Sequence, residues 1–308
     1  MYKCWNACIV EQGPQRRLKR LAGLHDRPGH KTQLERGIFK LFRRMVFLIQ
    51  IGASTACFYP LETEKALKRV GKLGFSTAEV FFNSFSELHG PLLEAICREQ
   101  EAWGIQVVSV HPFSSGTEPF FLFSAYERRF RDTLEYYKRY FDAANALGAH
   151  LLVMHGLKPG ASIEESEYFE RFGELAQLGR AQGITVAQEN VVQFSSQSSA
   201  FLARMRKALG DDFHMVLDLK QALRSGLDPL ELARQFAGEI IHVHVSDHLP
   251  GRDCLPPGEG TFDFGTLAKL LECAGYQGSF VIELYAGNFA DDGQLREAKA
   301  YLEKQKAE

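Results

Sequence analysis

The 308-residue sequence has no apolar run approaching the ~20 residues that span a bilayer, so it does not read as an integral membrane protein. Its 6 cysteines are scattered and include no Cys-x-x-Cys pair, which excludes a disulfide framework and reads as reduced thiols in a cytoplasmic protein. No short apolar stretch followed by small residues stands near the start, so no signal peptide is expected. The first strand candidate is followed by Ala53-Ser54-Thr55-Ala56, not by Gly-x-Gly-x-x-Gly, and no Gly-x-x-x-x-Gly-Lys-Ser/Thr appears. Dinucleotide and P-loop folds are therefore disfavoured. Net charge is also nearly missing, at −2, but the balance conceals an asymmetry. Residues 1–46 hold 11 Lys+Arg against 3 Asp+Glu, while the remainder holds 25 against 35. An acidic body does not suit a phosphate backbone, so nucleic acid is not an expected partner.

The basic arm carries Arg16-Arg17-Leu18-Lys19-Arg20 and Arg43-Arg44 with little periodicity between them. A nucleic-acid or membrane-surface tail, a targeting segment and an extension outside the fold all fit that composition. Met45 directly precedes the apolar run Val46-Phe47-Leu48-Ile49, which favours the last reading. Residues 1–45 are taken as an extension and 46–308 as one domain. Removing residues 1–44 is expected to leave folding and activity intact.

What is present in that domain is a regular alternation. Short apolar, β-branched runs occur at Val46–Ala53, Ala78–Phe82, Ile105–Val110, Leu151–Met154, Ile184–Ala187, His214–Leu217, Ile240–Val245 and Phe280–Leu284. Amphipathic stretches with i, i+3, i+4 spacing separate them: Glu62–Leu73, Leu92–Trp103, Tyr126–Leu147, Glu165–Ala181, Ala200–Leu209, Pro229–Phe236 and Phe264–Ala274, with a last helix at Gln294–Lys304. Gly74, Gly104, Gly148, Gly183, Gly210 and Gly275 mark helix ends just before the next strand. Eight βα units in this length predict an α/β fold of the (β/α)8 TIM-barrel type, with an open doubly wound sheet as the alternative.

Chemistry in such a barrel sits at the C-terminal strand ends. Those ends carry His111, His155, Glu189, Asp218, His244 and Glu283 in successive strands. Three carboxylates gathered in a poorly solvated site repel one another, and a divalent cation removes that cost. Glu189, Asp218, His244 and Glu283 form an oxygen–nitrogen set suited to Mn, Co, Zn or Mg. His242, one layer deeper, and His248, past the strand, read as supporting groups. The stretch Leu255–Asp263 reads either as a loop presenting N–H groups to a substrate or as a rigid turn. Arg252 is the nearest cation.

These residues resemble the xylose isomerase-like TIM-barrel superfamily, which joins sugar phosphate isomerases and epimerases to endonuclease IV-type enzymes (AP endonuclease family 2). The resemblance rests on Glu189, Asp218, His244-x-x-Asp247, the Pro257-Gly258-Glu259-Gly260-x-x-Asp263 loop and Glu283. It implies one divalent metal on Glu189, Asp218, His244 and Glu283, with the two glutamates as acid and base on opposite faces of a substrate carbon. Two departures stand out. Gln221 occupies the place of the family's strand-six histidine, and Arg252 and Cys254 replace the Asp-x-His of the nuclease branch. His111 and His155 match that branch's remaining ligands and, with Glu189, form a second metal set.

Three functions follow as expectations. The first is a metal-dependent isomerase or epimerase acting on a ketose-like sugar or sugar phosphate, using Glu189 and Glu283 for proton transfer. His111, His155, Gln221, Arg252 and Glu259 are its candidate substrate contacts, and Phe58, Phe82 and Phe113 are candidates for stacking on the sugar or for core packing. The second is a two-metal phosphodiesterase acting on a small phosphodiester. The third is a barrel that binds a sugar without turning it over. A homo-oligomer is compatible with each.

Overall fold

The structure, a computed structural model, describes residues 49–306. The basic arm, its boundary at Met45 and the Val46–Leu48 part of the first run lie outside the described residues. Eight strands close into a barrel: β1 (Gln50–Ser54), β2 (Thr77–Phe81), β3 (Gln106–His111), β4 (Leu151–Met154), β5 (Thr185–Glu189), β6 (Met215–Asp218), β7 (Ile240–Val245) and β10 (Ser279–Ile282). Each pairs in parallel with its neighbours, and β10 returns to β1. This is the expected (β/α)8 architecture. Two further strands, β8 (Asp247–Leu249) and β9 (Arg252–Leu255), form a small antiparallel hairpin after β7.

Ten helices among the described residues connect the strands: α1 (Thr63–Lys72), α2 (Gly90–Trp103), α3 (Glu118–Phe121), α4 (Glu127–Ala146), α5 (Glu165–Ala181), α6 (Ser199–Leu209), α7 (Leu219–Arg224), α8 (Pro229–Phe236), α9 (Phe264–Cys273) and α10 (Asp292–Gln305). The apolar stripe that predicts α4 is the face it buries, through Phe130, Tyr137, Tyr140, Phe141 and Ala144. Gly104 ends α2 in the left-handed region at φ 61°, the conformation a helix stop needs before β3 begins. The short helices α3 and α7 are absent from the sequence reading, because one or two turns carry too little periodicity to register.

Most apolar burial lies between sheet and helices. Inside the ring, Leu151, Val153, Ala187 and Val216 from β4, β5 and β6 form a separate apolar cluster. Strands β1, β2, β3 and β7 contribute a buried polar set: Ser54, Glu79, Ser109, His242 and His244. That polar half supports the site described next.

Candidate active site

The strand ends bring the expected residues together. Parallel pairing sets Asp218 and Val281 in register with His244, so the ends of β6, β7 and β10 stand at one level. His244 Nδ1 lies 3.1 Å from Glu189 Oε1, 3.5 Å from Glu283 Oε2 and 3.6 Å from Asp218 Oδ2. One donor atom from each of the four falls within 4.8 Å of the others, and the same holds for His111, His155 and Glu189. His242 lies a layer deeper, as expected, hydrogen-bonded to the barrel interior.

Two residues that the sequence reading missed complete the cluster. Glu79 on β2 is fully buried under His244. Its Oε1 accepts from Ser54 Oγ at 3.3 Å, and its Oε2 accepts from Ser109 Oγ at 2.8 Å and from His244 Nε2 at 3.0 Å. His242 Nε2 stands 3.3 Å from the same oxygen. The available signal is one carboxylate inside the apolar run Ala78–Phe82. The other missed residue, Lys220, is 2 % exposed, and its ammonium donates to both Asp218 Oδ2 and Glu283 Oε2. It arrives there because Asp218 Oδ1 caps α7 by accepting the Gln221 N–H at 2.9 Å, which turns the chain and folds Lys220 back onto the capping residue.

Burial and charge oppose each other throughout the cluster. Burial pushes the Glu189 carboxyl up, but His111, His155 and His244 outweigh it and hold Glu189 well below the usual carboxylate range. Burial likewise raises Glu283, and Lys220 and His244 overcome it, so this group too favours the ionised form. Glu79 is held well below its ordinary value against burial, by His244 and His242. Desolvation would lower His244, yet Glu79 and Glu283 raise it well above an ordinary histidine. For His155 and His242 desolvation prevails over Glu189 and Glu79 respectively, and both are lowered. Lys220 is raised well above the usual lysine value, because Asp218 and Glu283 more than offset its burial.

The two candidate metal sets differ in how they suit an ion. His111 Nδ1 lies 3.2 Å from the Pro112 carbonyl, to which it donates, and in the neutral ring this leaves the Nε2 lone pair inward. That Nε2 is 3.2 Å from His155 Nε2. Glu189 Oε2 is buried 3.1 Å from His155 Nε2 but makes no hydrogen bond. An unsatisfied carboxylate oxygen beside two imidazole nitrogens fits a divalent transition ion. The four-residue set does not fit one as it stands. Asp218 Oδ2 and Glu283 Oε2, two of the oxygens an ion would need, are both taken by the Lys220 ammonium.

Above these groups opens a cavity of about 330 Å³, lined by Tyr59, Phe81, Asn83, His111, His155, Glu189, Lys220, Gln221, Glu283 and Tyr285, with Ala56 and Leu284. Gln221 also accepts the Val192 N–H at 3.1 Å, which holds the β5 loop against the start of α7. Of the aromatic candidates, Phe58 and Phe82 are core residues. Their chain neighbours Tyr59 and Phe81 reach the cavity instead, with Phe81 stacked on His111 at 4.6 Å. Phe113 packs against the main core and Phe85.

Arg252 and Glu259 do not line the cavity: Arg252 is exposed on β9, and Glu259 is exposed and bonded to Gln294. The loop that carries Glu259 is the rigid turn of the two expected forms. Its N–H groups face inward to Asp247, whose Oδ1 accepts from His248 and Phe262 and whose Oδ2 accepts from Gly258 and Gly260, at 2.8–3.0 Å.

Comparison with known proteins agrees with this architecture. Residues 67–305 match the family model described as xylose isomerase-like TIM barrel. An uncharacterised protein of Mycobacterium leprae is 28 % identical over 263 residues, covering 77 % of this chain and 89 % of that protein. An inosose dehydratase of Yersinia enterocolitica is 28 % identical over 153 residues, 40 % of this chain and 51 % of that enzyme. A D-psicose 3-epimerase solved in the presence of D-fructose superposes with a TM-score of 0.70 at 15 % identity, covering 84 % of this chain and all of its own. The match over most of its length makes this chain a member of the xylose isomerase-like TIM-barrel family.

Proposed function

We propose that this protein is a sugar isomerase or epimerase that moves a proton at a carbon beside the carbonyl of a ketose, with Glu189 and Glu283 as its proton-transfer groups. The carrying observation is that both carboxylates line one cavity and both are held ionised, so either can accept a proton from a bound substrate. The cavity volume suits one monosaccharide. Tyr59, Phe81 and Tyr285 offer faces for the C–H side of a sugar, while Asn83, His111, His155 and Gln221 offer hydrogen bonds to its hydroxyls. Lys220 is the cavity's one Lys or Arg among the described residues, and its charge is already shared by two carboxylates, so we favour an unphosphorylated sugar. The epimerase and the inosose dehydratase to which the chain is similar support a carbonyl-bearing sugar or cyclitol as the substrate class. A divalent ion held by His111, His155 and Glu189 would supply Lewis acidity toward a substrate oxygen.

The test is exchange of solvent deuterium into ketoses, screened by NMR. The wild-type protein should exchange the hydrogen next to the carbonyl, and Glu189→Gln and Glu283→Gln should each slow exchange by about 10²-fold or more. Exchange unaffected by both substitutions would refute the assignment. The His111, His155 and Glu189 set also favours a second reading, a phosphodiesterase acting on a small phosphodiester. Release of nitrophenol from bis-nitrophenyl phosphate, without deuterium exchange into any ketose, would establish that reading instead.

A further inference from the structure

We propose that the ammonium group of Lys220 is the built-in cation of the four-residue set, standing between Asp218 and Glu283 where a divalent ion would otherwise bind and turning its remaining N–H to the cavity. Three observations carry this. The ammonium donates to one oxygen of each carboxylate, so it is placed by both ligands and not by one chance pairing. The other Asp218 oxygen is committed to the Gln221 N–H, so Asp218 cannot release Lys220 by turning its second oxygen inward without uncapping α7. Finally, a lysine buried to 2 % exposure is costly unless its charge is met, and here it is met twice.

An ammonium carries three donors. Two are used by Asp218 and Glu283, and Lys220 also lines the cavity, which leaves the third for a ligand oxygen. In the proton-transfer reading, on which this part of the proposal rests, that oxygen is the substrate carbonyl. Lys220 then stabilises the enolate oxygen that forms as a glutamate removes the adjacent proton. The proton moves from carbon to carboxylate, the C–H electron pair becomes the C=C bond of the enolate while the carbonyl π pair moves onto the oxygen, and return of a proton to either face of that carbon restores the ketone. No redox partner is needed.

The test begins with manganese binding, which does not depend on any activity. Chelator-treated wild-type protein is titrated with Mn²⁺, alongside Asp218→Asn, Lys220→Ala and the Lys220→Ala/Asp218→Asn double variant. The wild type and Asp218→Asn should bind the same number of ions, because the four-residue set takes none. Lys220→Ala should gain one ion per chain, and the double variant should lose it again. A wild-type ion abolished by Asp218→Asn would overturn the proposal, as would the absence of any gain in Lys220→Ala. Should that variant fail to fold, wild-type crystals soaked in MnCl₂ decide the matter: anomalous density between Asp218 and Glu283 overturns it, and density confined to other positions supports it. The electrophile role is read separately. Lys220→Met should lower the rate of ketose deuterium exchange by about 10²-fold, and an unchanged rate would remove that role. If the wild type exchanges no ketose, the functional reading fails while manganese stoichiometry still decides the placement of Lys220.

Discussion

Replacing Asp247 by Asn, a change of one atom at a site outside the cavity lining, is expected to destabilise the protein by about 4 kcal/mol. The carboxylate is 1 % exposed and accepts from four backbone N–H groups, two on each oxygen. Hydrogen bonds to a charged acceptor contribute about 1.5–3 kcal/mol each. An asparagine keeps one oxygen and hence two of these bonds, whichever way its amide turns. The NH₂ group then faces two N–H donors with nothing to accept them, and the loss of two charged bonds gives about 3–6 kcal/mol. Some hydration of the opened loop places the expectation near 4. Urea unfolding at neutral pH measures it, with an unchanged m-value showing that the unfolded reference is intact. A difference below about 1 kcal/mol would refute this account of the loop. An independent probe is Gly260→Ala, where the new Cβ would stand 2.3 Å from Asp247 Oδ1 and 2.4 Å from the His248 carbonyl. That overpacking is expected to cost about 1–3 kcal/mol.

Glu118 is fully buried and burial drives its carboxyl well above the ordinary 4.5, despite the N–H groups of Gly156 and His155. The folded state therefore holds this proton more tightly, and the associated stability is present below about 4.5 and lost as pH rises toward the folded value. Glu118→Gln should remove that dependence, so its stability relative to wild type should improve from pH 4 to pH 8 in urea titrations; a constant difference would contradict the assignment. Glu79→Gln takes the negative charge from beneath His244 and should lower the His244 pKa by at least about one unit, or 1.4 kcal/mol, in an NMR titration of the chelator-treated protein. An unmoved His244 resonance would show that Glu79 does not set its charge. Arg252→Ala and Glu259→Ala lie outside the cavity and should leave ketose exchange within about twofold of wild type. A larger loss in either would mean that the loop closes over the substrate.

Much of the architecture was legible because short apolar runs alternate with amphipathic stretches, and six of those stretches end in a glycine stop just before the next strand. Strand ends were readable for a related reason: His111, Glu189 and Asp218 each close a largely apolar run with an ionisable residue. Legibility failed where the decisive neighbour is distant or the local element is short. Glu79 sits in the middle of a strand, where a carboxylate normally signals an exposed face, and only β1, β3 and β7 together show that it is enclosed by serines and histidines. Lys220 depends on a six-residue helix whose cap redirects its side chain. Phe58 and Phe82 take the core-packing alternative, and their neighbours Tyr59 and Phe81 line the cavity; at the end of β2 successive side chains point to opposite faces, so Phe81 and Phe82 diverge.

The division of the barrel interior has a consequence for anyone who would engineer this scaffold. A common route to a hardier enzyme is to fill its core with larger aliphatic residues and to alter specificity separately at the rim. Here the β4–β6 half packs through Leu151, Val153, Ala187 and Val216, where an aliphatic exchange acts on packing. On the β1–β3 side, exchanging Ser54 or Ser109 for an aliphatic residue would withdraw a hydrogen bond from Glu79 and so disturb the group beneath His244. On that side of the ring, thermal robustness and substrate chemistry are one design variable, and selection for either would be felt in the other.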